Sequence, residues 1–128
     1  MTERGSAEAG PLSAYLASLD EPDRGILTRV IDRARALLPE LVEGESYRMP
    51  ALLHRGTALL AVRRTREHLA AYPYSGRTVA AVAPELERLG FGFSSGAIRF
   101  SADHPLPPEL VDRIVLTRRD EIDAGRAR

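Results

Sequence analysis

Six side chains have the types needed for recognition: Arg48, His54, Arg63, His68, Tyr72 and Arg99. If the strands alternate as their residue patterns suggest, all six leave the same side of one sheet. The guanidiniums would offer fork-shaped donors to a carboxylate or phosphate, and the rings an aromatic platform. Leu52 and Leu59 fall among them, so the arginine stems would also cover apolar surface. The same patch suits a protein partner or self-association, with a small apolar centre rimmed by arginines. A second group, Glu40, Glu43 and Glu45, is free of arginine until Arg48 and is the best carboxylate cluster for a hard cation. Its plainer reading is a solvated loop between helix and strand. Asp32 lies three residues from both Arg29 and Arg35, where ion pairing competes with any metal.

Catalytic chemistry finds less support. Ser46, His68 and Glu67 make a triad only on paper, and no nucleophile elbow surrounds any serine. His54 has no evident acidic neighbour in the expected register and lies at the far hairpin end from His68. His104 sits in a loop before Pro105. The chain is therefore read as a binding protein, not an enzyme. With 18 basic and 18 acidic residues and 5% aromatics, it carries neither the net charge nor the paired aromatics of a nucleic-acid-binding sheet. All the basic residues are arginine, so there is no lysine for a Schiff base or a phosphate loop.

The elements that must position these residues are legible in the pattern. A short helical turn spans about Leu12 to Leu19. Asp20-Glu21-Pro22-Asp23 marks a helix start, and Ile26, Leu27, Val30, Ile31, Ala34, Leu37 and Leu38 form its apolar stripe until Pro39. Ser46 to His54 and Thr57 to Arg64 read as strands around Arg55-Gly56, and a turn near Thr65-Arg66 leads to a third. Tight turns would put Tyr47, Met49, Ala51, Leu53, Ala58, Leu60, Val62, Leu69 and Ala71 on the core face. A second helix carries Val79, Val82, Leu86 and Leu89, with a break expected at Pro84 and a stop at Gly90. Phe91-Gly92-Phe93 and Ala97 to Phe100 read as two short strands, and Leu110, Val111, Ile114, Val115 and Ile122 mark a last helix. The expected fold class is α+β, a curved antiparallel sheet of about five strands with helices packed on one face, in the order α-β-β-β-α-β-β-α.

A chain of 128 residues fits one domain, here residues 11–122, with a disordered lead over 1–10 and a frayed tail over 123–128. It has no cysteine, no stretch near the ~20 apolar residues of a membrane helix, and no apolar core of a signal peptide after Met1. A cytoplasmic monomer or weak homodimer that requires no cofactor is expected.

Three stretches resemble the YdhG-like family. They are Tyr47-Arg48-Met49-Pro50-Ala51, Arg66-Glu67-His68-Leu69 leading to Tyr72-Pro73, and Ser95-Gly96-Ala97-Ile98-Arg99-Phe100 leading to Pro105-Leu106-Pro107. The resemblance covers about Leu12 to Glu121. It implies an antiparallel sheet on helices, frataxin-like in outline, and a role as an iron chaperone delivering iron for cluster assembly. The chain departs from the family where Arg48 replaces a usual glycine, Leu52 a phenylalanine, Arg66 a lysine and Ala70 a glycine. The alternative expectation is a module without metal chemistry that takes a small anion or a protein partner on the basic sheet face.

Overall fold

The computed structural model describes residues 10–126, through which run four helices and five strands. Helix α1, Pro11–Ala17, opens on a proline, whose missing N–H has no partner to lose in a first turn. Helix α2, Asp23–Leu37, starts within the expected stretch, but Pro22 and not Asp20 holds the N-cap position, without a side-chain cap, and the Glu21 carboxylate accepts from the Gly25 N–H at 2.9 Å. Helix α3, Gly76–Leu89, is capped by Ser75, whose hydroxyl accepts from the Thr78 N–H at 3.1 Å, and ends on Gly90 at φ +84. It runs unbroken through Pro84, contrary to the expected break. The carbonyl that loses its partner belongs to Ala80, an exposed residue where water can take the bond. Helix α4 is Pro108–Arg126.

The strands are β1 Val42–Ser46, β2 Met49–His54, β3 Thr57–Arg64, β4 Leu69–Tyr72 and β5 Ile98–Phe100. They form one sheet in the order β1-β2-β3-β4-β5, every pair antiparallel. The fold class is the expected one, with two differences in strand assignment. The stretch read as a loop after α2 is strand β1, and Phe91-Gly92-Phe93 contributes only one bridge, from Phe93 to Ile98. Helix α4 continues through Arg126, so residues 123–126 are helical rather than frayed. Residues 1–9 of the expected lead, and 127–128, lie outside the described residues.

A β-bulge decides which side chains meet the helices. Leu53 pairs with Ala58 but Leu52 pairs with Leu60, so Leu59 is an extra residue on β3. On the β2 side the shift moves the core set by one position. Leu52, with no exposed surface, lies under the helices, and Ala51 and Leu53 leave the opposite side. Beyond the bulge, Val62 pairs with Ala71 and Ala71 with Ile98, while Leu69 pairs with Phe100. Leu52, Leu59, Leu60, Val62, Leu69, Ala71, Ile98 and Phe100 accordingly join one core with α2, α3 and α4. The expected core face was right for Leu60, Val62, Leu69 and Ala71. It was wrong for Tyr47, which is exposed in a turn, and for Met49, Leu53 and Ala58; Ala51 also leaves the opposite side, though it is fully buried there. No sequence signal marks Leu59 as a bulge.

Two tight hairpin turns hold this register. Arg55-Gly56, at φ 55 and 83, joins β2 to β3 as expected. Tyr47-Arg48, at φ 53 and 62, joins β1 to β2, with Ser46 opposite Met49. Both central residues of such a turn need positive φ, which favours Asn and Gly and strains Tyr and Arg by about 1–2 kcal/mol each. Glycine at position 48 would relieve part of that strain. Arg48→Gly is expected to raise stability by about 0.5–1 kcal/mol in urea unfolding, after the larger unfolded-state entropy of glycine is subtracted. A loss of stability would mean that the Arg48 side chain supports the fold.

Candidate functional site

The side of the sheet away from the helices is built mostly of small residues, tyrosine and arginine. Strand alternation places Val42, Gly44, Ser46, Met49, Ala51, Leu53, Ala58, Ala61, Arg63, Ala70, Tyr72 and Arg99 there. Not one is a carboxylate. Arg63, Ala70 and Arg99 stand in one row across β3, β4 and β5, so two guanidinium-bearing residues flank a methyl group. The Arg63 guanidinium lies 5.6 Å from the centroid of the Tyr15 ring, and the Tyr15 hydroxyl accepts from the Arg64 N–H at 2.8 Å. Arg99 packs so close to Gly92 that a Cβ there would lie 3.0 Å from its guanidinium. Neither arginine forms an ion pair with another described residue. Toward β1, Leu53 lies over Gly44, where a Cβ would fall 2.6 Å from its Cδ1. Val42 is half exposed beside it.

Tyrosines occupy the end of this face. Tyr72 pairs with Ala61, and two residues later Tyr74 turns at φ 59. Its ring lies 6.5 Å from that of Tyr47, centroid to centroid, at an interplanar angle of 18°. Tyr47 belongs to the β1–β2 turn, three strands away in sheet order, so the first hairpin curls toward the loop after β4. The Tyr74 hydroxyl is buried facing Ser46, yet no described residue completes a hydrogen bond to it. Burial is the main reason its pKa is pushed up.

The six residues expected on one face are therefore divided. Arg63, Tyr72 and Arg99 share it. Arg48 is in the β1–β2 turn, not on a strand, because the chain reverses where a continuous strand was expected. His68 belongs to the β3–β4 turn, where its backbone bonds to Thr65 and its side chain lines a cavity of about 130 Å³ with Asp23, Arg64 and Ser101. His54 is on the helix side, the bulge having reversed the parity of β2. The three glutamates do not converge. Glu43 lies beneath α1 and α2, bonded to both the N–H and hydroxyl of Ser13 and to Arg35 at 2.5 Å. Glu40 is in the loop before β1 and Glu45 is exposed. Among the described residues no three His, Cys, Asp or Glu side chains are grouped to hold a metal. The Tyr47–Tyr74 ring pair was not foreseen, Tyr47 being expected on the core face. Tyr47 sits in the stretch that carries the family resemblance, but its turn lacks the usual Asn or Gly.

Comparison of the fold with solved structures gives clear likenesses. The crystal structure of YdhG, a DUF1801-family protein from Bacillus subtilis, matches with a TM-score of 0.76 at 22% identity, over 86% of this chain and 89% of that one. An uncharacterized conserved protein from Lactobacillus casei matches with a TM-score of 0.55 at 21% identity, over 88% and 92%. The fold is thus the YdhG fold. Neither structure is described as a frataxin or an iron chaperone. No family profile and no curated protein matches the sequence. Among the described residues no helix is long and apolar enough to cross a membrane.

His54 has a clear structural partner that the sequence did not reveal. Its Nε2 donates to the Asp123 carboxylate at 2.8 Å, tying the β2–β3 hairpin to the last turns of α4. Its buried Nδ1 lacks a hydrogen bond, with a Glu40 oxygen 3.6 Å away. Arg55 lies 3.4 Å from Asp123, and Arg126 donates to the Arg55 carbonyl at 3.3 Å. The bond from His54, followed by the His54 and Arg55 charges, holds the Asp123 carboxyl below the usual carboxylate range. A depressed carboxylate pKa contributes stability that is present above the unfolded value and lost as pH falls through the folded one. Asp123→Asn should therefore flatten the acid limb of a stability profile below about pH 4, with His54→Ala costing about 1–3 kcal/mol at neutral pH. An unchanged acid limb would show that the hairpin-to-helix bond does not form in solution.

Proposed function

We propose that this chain is a YdhG-like binding module, with no catalytic chemistry of its own, whose outer sheet face takes a small anionic ligand. One observation carries the reading: Arg63 and Arg99 flank Ala70 across three adjacent strands, on a face that strand alternation leaves without a carboxylate. Two strand spacings separate the arginine backbones by roughly 10 Å, a span that long guanidinium side chains can close on a carboxylate or phosphate. The Arg63 guanidinium lies near the Tyr15 ring and that of Arg99 donates to the Phe93 carbonyl at 3.5 Å, so neither is neutralised by a described carboxylate.

Iron delivery, the role implied by the family resemblance, is less well supported by the donor groups. Glu43 is already committed to Arg35 and Ser13, and Glu40 and Glu45 lie apart from it. The outer face also favours an anion over a basic partner, since its charges are all positive.

Calorimetric titration with pyrophosphate, at low ionic strength, tests the reading. Saturable binding is expected, weakened about tenfold or more by Arg63→Gln and by Arg99→Gln, each of which removes a charge-assisted bond. Both variants should melt close to the parent. Binding that survives the double substitution would place the anion elsewhere and defeat the proposal.

A further inference from the structure

A cavity of about 390 Å³ lies in the helical layer, between α2, the start of α4 and the loop that joins β5 to α4. One stripe of α2 forms its first wall. Ile26, Arg29, Val30 and Arg33 follow one another at helical spacing, so all four leave the same side of the helix. Leu106 of the loop and Val111 of α4 line it as well. Val30, Leu106 and Val111 are almost wholly buried members of the core, and they make its floor apolar. Pro105, Pro107 and Pro108 keep the space open. A proline has a fixed φ and no N–H, so the loop resists collapse and offers few backbone donors to the cavity.

The charged groups at the cavity are of one sign. Among the described residues no carboxylate lines it, and Arg29 and Arg33 are its charged side chains. Asp112 holds the Arg33 guanidinium by two bonds, of 2.6 and 2.7 Å. Arg29 forms no ion pair with a described residue. Glu21 is near enough to feel the Arg29 charge, but its carboxylate already accepts from Arg24 and from the Gly25 N–H. Apolar walls with a guanidinium at the side suit a ligand of the opposite make, an apolar body that ends in one anion. The volume falls within the range of roughly 300–1,000 Å³ found for small-molecule sites. No aromatic residue lines the space, so nothing there selects a flat ring.

We infer that this cavity binds an aliphatic monocarboxylate of medium chain length. The chain lies among Ile26, Val30, Leu106 and Val111, and the carboxylate meets Arg29. The site uses none of the residues of the outer sheet face and does not depend on anion binding there.

Calorimetric titration of the full chain with butanoate, hexanoate and octanoate tests the assignment. Each methylene that enters the cavity should tighten binding about threefold to fourfold. The uncharged 1-octanol, with a chain of the same length, should bind about tenfold or more weakly than octanoate. Arg29→Gln should bring octanoate to the level of 1-octanol, and Ile26→Phe, which fills the space, should abolish binding of both. Arg29 is exposed and Ile26 only partly buried, so both variants should melt close to the parent. Methyl resonances of the parent protein give a reading that needs no variant. Octanoate should shift those of Ile26, Val30 and Val111 and leave Val42, on the outer face, unmoved. Octanoate that does not bind, binds no better than butanoate, or shifts Val42 in place of Ile26 overturns the assignment. Arg63→Gln should leave the octanoate series unchanged, and a loss there would also overturn it. The pyrophosphate titration judges the outer face separately.

Discussion

The extra residue Leu59 in β3 governs how the sheet is sorted. A strand alternates with period two, so one inserted residue exchanges the faces of everything paired beyond it. Here the exchange places Leu52 and His54 of β2 under the helices, beside Leu60 and Val62 of β3. It sends Ala51 and Leu53 outward. The arginines of β3 and β5 then share the outer side with alanines and Tyr72. Without the bulge, Leu52 would face solvent while small alanines met the helices, leaving the core both underfilled and short of apolar area.

The same sorting brings the ionisable side chains of Glu43 and His54 under the helices. Each is met by partners from another element. Glu43 takes the start of α1 and Arg35 of α2; His54 takes Asp123 near the end of α4. A buried polar group left alone would cost several times what its hydrogen bond contributes, so these pairs constrain where α1, α2 and α4 can sit. They behave as locators for the helices. The acidic cluster that looked available to a cation in the sequence is thus dispersed, with Glu43 tied to Ser13 and Arg35 and Glu45 exposed, and the outer face is left with positive charge alone.

Much of this was legible in the residues. Helix α2 follows from its start pattern, apolar stripe and Pro39, and α3 from its stripe and Gly90. The β2–β3 hairpin follows from Arg55-Gly56 and the alternation around it. Strand β1 was not legible, because Val-Glu-Gly-Glu-Ser has weak strand preference and owes its conformation to pairing with β2. The Tyr47-Arg48 reversal was hidden for a related reason: its residues are unfavourable in the turn that they form, and tertiary pairing overrides them. His54 could not be matched to Asp123 across 69 positions by any local pattern. Of the candidate site, Arg63, Tyr72 and Arg99 were placed together correctly, since β3, β4 and β5 keep their parity on that side of the bulge.

All of this depends on adjacent positions pointing opposite ways, and the absence of cysteine makes that directly measurable. Single cysteines introduced at Val62, Arg63, Ile98 and Arg99 can be labelled with a thiol reagent under native conditions. Cysteines replacing Arg63 and Arg99 should react at rates within about tenfold of the unfolded chain, whereas those replacing Val62 and Ile98 should be protected by the opening equilibrium of the core. Equal labelling at 62 and 63, or protection at 63 and 99, would contradict the sheet sorting and remove the proposed binding face with it.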